Sequence, residues 1–130
     1  MKALTVEQFL LIHSILITET GGTHGVRDIK MLSSISTEPF QKVFGKRLYP
    51  RIFEKAAVYA HRIIMRHPFI DGNKRSGITA AFMFLRQNGI EAKVPKGEIE
   101  RFAVDIVTGK KEIKEISGWL EKYSRIISKK

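Results

Sequence analysis

The sequence predicts an all-α fold: a compact helical bundle around one central buried helix, with at most a small β flap. Three observations predict it. Apolar residues recur at spacings of three and four over most of the chain. Helix-start signatures precede these stretches and glycines follow them. The segments without a helical period are short. This pattern belongs to helix-on-helix packing around a shared core.

Thr5 with Gln8 three residues later forms a capping-box signature. Phe9, Leu10, Ile12, His13, Leu16 and Ile17 then supply an apolar stripe to about Glu19, ended by Gly21-Gly22. His13 falls on the apolar side, where a packed or hydrogen-bonded histidine is expected. Gly21 to Asp28 is a turn-rich loop with three glycines, and Asp28 caps a second, short helix over Ile29 to Ser36 that Pro39 ends. His24 and Arg27 in that loop read as readily as a solvated pair as they do as site residues. Residues 40–49 show no clear period and read as a loop or a short extended flap. A third helix has Pro50 in its first turn and buries Ile52, Phe53, Ala56, Ala57, Ala60, Ile63 and Ile64. It stops near Arg66 or His67, because a residue before proline is biased out of helical geometry.

The fourth helix starts at about Asn73 or Lys74 and runs through Arg86, with Gly89 as a left-handed stop after Asn88. It is apolar almost all round, which makes it the central helix, and Gly77, Ala80 and Ala81 let neighbours approach closely. Ile90 to Val94 reads as a short extended piece, and Glu98 to Thr108 as a fifth helix stopped by Gly109. A sixth helix, about Glu112 to Ile127, places Ile113, Ile116, Trp119, Leu120, Tyr123 and Ile127 inward, with Trp119 as core.

At 130 residues the chain has the size of one ordinary domain, expected to span residues 1–130. A composition 43% hydrophobic and 28% charged excludes the disordered class. The 23 Lys and Arg against 13 Asp and Glu give a net charge of +10, which favours acidic or polyanionic partners. Part of that charge, as in Lys110-Lys111 and Lys129-Lys130, reads as ordinary solvated surface. There is no cysteine, hence no disulfide framework and no thiolate metal site, and a cytoplasmic home is expected. Without a long apolar run the chain is expected to be soluble and unprocessed, with no membrane partner.

The densest chemistry lies in His67-Pro68-Phe69-Ile70-Asp71-Gly72-Asn73-Lys74-Arg75-Ser76-Gly77. This loop opens into the N-terminus of a buried helix, where free N–H groups and the helix dipole favour an anion. Moving a phosphate-containing group to a hydroxyl needs a base, charge neutralisation and alignment. His67, with a reference pKa of about 6.5, supplies a base. Asp71, the stretch's one carboxylate, suits Mg²⁺, which takes hard oxygen ligands and often completes its shell with phosphates. Gly72 permits the tight turn, while Asn73, Lys74, Arg75 and the helix N–H groups take phosphoryl oxygens. Phe69 anchors the loop to the core. Each piece also has an ordinary use, as helix stop, core plug, surface turn or solvated charge; it is their joint spacing that points to a site. The Walker phosphate loop, the zinc-protease helix, the nucleophile elbow and the dinucleotide fingerprint are all absent, and the four histidines show no metal spacing.

The motif His67-x-Phe69-x-Asp71-Gly72-Asn73-Lys74-Arg75 resembles the signature of the Fic/Doc superfamily, and in particular its death-on-curing (Doc) branch. Leu4-Thr5-Val6-Glu7, Gly21-Gly22 with Gly25 to Asp28, Tyr49-Pro50 with Phe53 to Ala56, and Phe84-Leu85 through Asn88-Gly89 resemble further landmarks in order. The resemblance implies an all-helical fold and transfer of part of a nucleoside triphosphate, ATP, to a protein hydroxyl with Mg²⁺. His67 would then be the base, Asp71 the Mg²⁺ ligand, and Asn73, Lys74 and Arg75 phosphate binders. The wider Fic pattern, associated with AMP transfer, has glycine where Lys74 stands and arginine where Ile78 stands. Likeness to Doc proteins implies instead transfer of the γ-phosphate, to elongation factor Tu, halting translation. It also implies a cognate antitoxin whose acidic, apolar segment binds in trans. Ser34 to Glu38 has the spacing of an internal inhibitory segment, but Pro39 follows it. AMP transfer, or a basic helical module that binds without catalysis, are the alternatives; direct nucleic-acid binding is not expected.

Overall fold

A computed structural model describes residues 1–127, so Lys129-Lys130 lie outside the described residues. In chain order the elements are α1 (Val6–Thr20), α2 (Ile29–Thr37), a 3₁₀ turn (Glu38–Phe40), β1 (Lys42–Val43), β2 (Lys46–Arg47), α3 (Ile52–Arg66), α4 (Asn73–Gln87), β3 (Ile90–Ala92), α5 (Lys96–Val107), α6 (Ile113–Lys122) and β4 (Ser124–Ile126). The class is the expected one, mostly helical with small β pieces. Among the described residues, no helix is long and apolar enough to cross a membrane.

Local chemistry sets the helix starts. The Thr5 hydroxyl accepts from the Gln8 N–H at 3.1 Å while the Gln8 side chain accepts from the Thr5 N–H at 2.9 Å, a complete capping box. Asp28 caps α2 by accepting from the Met31 N–H. Pro39 falls inside the 3₁₀ turn, and the short flap follows as an antiparallel hairpin with Lys42 opposite Arg47. α3 begins two residues beyond Pro50, because the Glu54 carboxylate accepts from the Arg51 N–H at 2.9 Å and makes Arg51 the cap.

α4 packs against α3 along its length and is flanked by α1, α5 and β3. Gly77 makes the close approach possible: a methyl there would lie 2.7 Å from Ile64 Cγ1 and 2.9 Å from the Ala60 carbonyl oxygen. Tyr59 fixes the other side of α3. It is fully buried, edge-on to Phe9 and Phe84, its hydroxyl donating to the Ser36 carbonyl and accepting from the Leu4 N–H. Burial pushes this phenol up to about 12, against the Leu4 bond, so it stays neutral. Trp119 is core as expected, stacked on Phe102 at 4.1 Å.

The sixth helix is shorter than the apolar spacing predicts. It ends at Lys122, and Ser124–Ile126 pair antiparallel with Ile90–Ala92. The Ser124 hydroxyl donates to the Leu120 carbonyl and ties off the helix end. The Ile127 N–H reaches the Gly89 carbonyl at 2.8 Å. The unpaired edge of β3 therefore recruits the segment, and Ile127 is left 41% exposed instead of facing inward.

Candidate functional site

α3 delivers the chain to the motif through a left-handed residue. His67 adopts φ 53°, ψ 59° and closes the helix, its N–H donating to the Ile63 carbonyl. Arg27 completes that end: Nε donates to the His67 carbonyl at 2.7 Å and a terminal nitrogen to the Arg66 carbonyl at 2.6 Å. Arg27 is thus a helix cap, placing its charge where the dipole is negative, and not one half of a solvated pair. The His67 ring is exposed, with Nδ1 3.2 Å from the Met65 carbonyl oxygen. A carbonyl only accepts, so Nδ1 carries the proton, and in the neutral ring Nε2 keeps its lone pair.

The glycine-rich loop after α1 runs along the motif. The Arg27 and Asp28 N–H groups donate to the Pro68 carbonyl at 2.8 and 3.0 Å, Val26 bridges to Phe69, and the Ile70 N–H donates to the Gly25 carbonyl. Phe69 is buried, as an anchor must be, and stacks on His13 with centroids 3.9 Å apart and rings 2° from parallel. His13 Nε2 donates to the Asp71 carbonyl at 2.7 Å.

Asp71 is held at both oxygens. Oδ2 accepts from the Thr23 N–H at 3.0 Å and Oδ1 from the Gly72 N–H at 2.9 Å. These two bonds, the Thr23 one foremost, hold the carboxyl below its usual range, helped by the charges of Arg75 and His13 and opposed by partial burial. Gly22 makes room for the contact: at φ 114°, a methyl there would sit 2.6 Å from Asp71 Oδ2.

Gly72, at φ 78°, opens α4 without a side-chain cap, and the N–H groups of Asn73, Lys74 and Arg75 find no partner among the described residues. Asn73 departs from the expected arrangement. Its side chain is buried and turned inward: Oδ1 accepts from the Phe69 N–H at 3.0 Å and Nδ2 donates to the Phe69 carbonyl at 2.9 Å. The carboxamide closes the loop, and what Asn73 has free for an anion is its backbone N–H. The Arg75 guanidinium contacts the Thr20 hydroxyl and, at 3.4 Å, the Gly21 carbonyl, so it also caps the end of α1. Lys74 is exposed and makes no ion pair among the described residues.

His67, Asp71, Gly72, Asn73, Lys74 and Arg75 line one open cleft of about 490 Å³ with Ile70 and Val107. A second hollow of about 340 Å³ shares Lys74 and Arg75 and continues along Ile78, Ile99, Ala103 and Val104 between α4 and α5. A larger hollow near Arg51 and Glu121 is remote from the motif. Among the described residues, no group of three or more His, Asp or Glu could hold a metal by itself. Each Asp71 oxygen accepts one N–H and has a further lone pair, so this carboxylate fits Mg²⁺ only where phosphates and water complete the shell. Of the residues around the motif, His13, Gly22 and Thr23 were not legible as site residues, while Arg27 was open to either reading; the density of turn chemistry in the Gly21–Asp28 loop was the available signal for Gly22 and Thr23.

Fold and loop together define a mostly helical protein with a histidine and a carboxylate beside the start of its central helix, which has no side-chain cap. A family model, Fic/DOC family, matches residues 3–85, and the chain belongs to that family. It is similar to Toxin Doc of Mycolicibacterium smegmatis (strain ATCC 700084 / mc(2)155), 38% identical over 71 residues, 55% of each chain, so the match spans about half the length of that relative. It is similar also to Protein kinase doc of Escherichia phage P1, 25% identical over 122 residues, 94% of this chain and 95% of the relative.

Proposed function

We propose that this chain is the Doc-like toxin of a toxin–antitoxin pair and transfers the γ-phosphate of ATP to a protein hydroxyl, with elongation factor Tu as the expected target and arrest of translation as the consequence. The observation that carries the reading is the contact of His67 Nδ1 with the Met65 carbonyl oxygen, which sets the tautomer. With Nδ1 donating to the Met65 carbonyl, Nε2 is the free base on the rim of a cleft that also holds Asp71 and the open N–H groups of α4. Nε2 takes the hydroxyl proton as the oxygen forms its bond to the γ-phosphorus; the bond from that phosphorus to the bridging oxygen breaks, and ADP leaves with the electron pair. The first-turn N–H groups, Lys74 and Arg75 hold phosphoryl oxygens. Asp71 would hold Mg²⁺, which supplies charge neutralisation on the phosphates. The names Toxin Doc and Protein kinase doc carried by two relatives support the toxin and kinase readings. An acidic antitoxin binding in trans suits a chain of charge +10.

AMP transfer is the second reading. Ile78 weighs against it. The residue at the next turn from Lys74 is apolar and only 2% exposed, so no cation stands there to hold a triphosphate with its α-phosphate presented. The experiment is to incubate the chain and its His67→Ala variant with cell extract and ATP labelled at the α- or the γ-phosphate. γ-Label on a protein, lost in the variant, is the expected result. α-Label establishes AMP transfer, and absence of both leaves a binding module.

A further inference from the structure

A second concentration of positive charge lies at the other end of α3. Lys55 is 1% exposed, yet its ammonium group has no ion-pair partner among the described residues. It donates to the Tyr49 carbonyl and sits 5.6 Å from the centre of the Phe40 ring. Buried charges are ordinarily paired, because a carbonyl and a ring face compensate only part of the lost hydration. Burial, and then repulsion from Arg47, pull this lysine below its ordinary value, against the pull of Glu54.

The flap adds to the imbalance. Lys42 and Arg47 stand directly opposite each other in the two-stranded ribbon, a like-charge cross-strand pair that opposes pairing. These two, with Lys55, Phe40 and Met1, line a hollow of about 280 Å³ with no carboxylate on its wall. The nearest acid along α3, Glu54, is engaged with the Arg51 N–H. Lys55 precedes His67 by 12 residues on one helix, about 18 Å along its axis, so the hollow is separate from the motif cleft.

We propose that the hollow between the flap and the start of α3 is an oxyanion site, formed by Lys42, Arg47 and Lys55, for a phosphate-type dianion. Such an ion offsets the repulsion across the ribbon and gives the buried ammonium its missing counter-charge, with the Arg47 guanidinium matching two oxygens at once. The volume suits a phosphoryl group, which can come as free phosphate or as a phosphate monoester.

The test is ¹H–¹⁵N NMR titration of the full chain with inorganic phosphate, with O-phosphoserine, and with chloride at matched ionic strength. Resonances of residues 42–49 should shift along a saturating curve with phosphate and not with chloride. A Lys42→Ala/Arg47→Ala variant should weaken that curve by about tenfold or more while leaving any shifts at residues 74–76 unchanged. Both side chains are exposed, so this variant should keep its fold, and its dispersed spectrum checks that. Equal binding of O-phosphoserine would show that the site takes a phosphoryl group on a carrier; binding of inorganic phosphate alone would show a site for the free ion. Linear, unsaturating shifts would overturn the proposal. So would an unchanged curve in the double variant, or an equal loss in a Lys114→Ala/Lys122→Ala control, which removes the same charge elsewhere.

Discussion

His13 Nε2 lies 2.7 Å from the main-chain oxygen of Asp71, and the same imidazole lies flat against Phe69. One buried side chain of α1 thus fixes both the apolar anchor of the motif and the backbone that carries its carboxylate. Asp71 is in turn held from the other side by the Thr23 N–H. The carboxylate is positioned by two segments distant in sequence, and its own loop contributes only the Gly72 N–H.

Replacing His13 by Phe should separate these two jobs, because the ring stack survives and the hydrogen bond does not. The Asp71 carbonyl loses its donor, and urea denaturation should register a loss of about 1–3 kcal/mol. A shift of Asp71 by a fraction of an ångström should lower the proposed γ-phosphate transfer by up to about 10²-fold. A His13→Gln variant, which retains a donor of similar reach, should recover part of the activity. Equal activity in the Phe variant and the wild type would show that the bond does not position the carboxylate.

Asn73 gives a second test. Its carboxamide makes two bonds to Phe69, one as acceptor and one as donor. Asn73→Ala should cost about 2 kcal/mol for the two buried backbone groups left unpaired. Asn73→Asp should cost more at neutral pH, since a carboxylate oxygen then faces the Phe69 carbonyl where a donor is needed. Chemical denaturation of both variants gives the order, and an Asp variant more stable than the Ala variant would contradict the assigned geometry.

The contrast between Asn73 and Phe69 shows where the sequence was legible. Phe69 as anchor follows from a large aromatic residue in a loop otherwise rich in charged, amide and turn residues, and the helix starts at Thr5 and Asp28 follow from caps that lie within four residues of what they bond. The direction of the Asn73 side chain depends on how the turn closes. The roles of His13 and Arg27 depend on partners about 58 and 40 residues away, which no local pattern encodes. β4 escaped for the same reason. Tyr123 and Ile127, which flank it, continue the apolar spacing of α6, and only the pairing with β3 shows the segment between them to be a strand.

Glu38 supplies one pH-dependent part of stability. Burial pushes its carboxyl up, but hydrogen bonds and charges from Arg62 at 2.6 Å and Arg66 at 2.8 Å outweigh that and hold it below the ordinary glutamate value of 4.5. A carboxyl depressed in the folded state contributes stability that is present above its unfolded value and is lost as pH falls through its folded one. Asp71 and Glu91 are depressed too and act in the same direction. Glu38→Gln should therefore lower stability at about pH 7 by about 1–3 kcal/mol, and the gap to wild type should narrow as pH falls below 4.5. Urea denaturation across that range reads the gap. A constant gap would mean that the arginines do not recognise the charge of Glu38.

Gly22 brings the loop and the carboxylate together in one testable position. A methyl at Gly22 would lie 2.6 Å from Asp71 Oδ2 and 3.1 Å from Ile17 Cδ1, and φ 114° is a conformation that side chains rarely adopt. Gly22→Ala must move either the loop or the carboxylate, and moving either breaks the Thr23 bond that leads the depression of the Asp71 pKa. Stability should fall by about 1–3 kcal/mol from the strained backbone, and the proposed transfer by up to about 10²-fold from the displaced carboxylate. Because the carboxylate loses its strongest stabilising bond, its pKa should rise toward the ordinary value in an NMR titration of the Asp71 side chain. Gly97→Ala is the control, since a methyl there meets nothing within 4 Å and should leave transfer and the Asp71 titration unchanged. A Gly22→Ala variant with an unshifted Asp71 titration would mean that the loop after α1 does not hold the carboxylate.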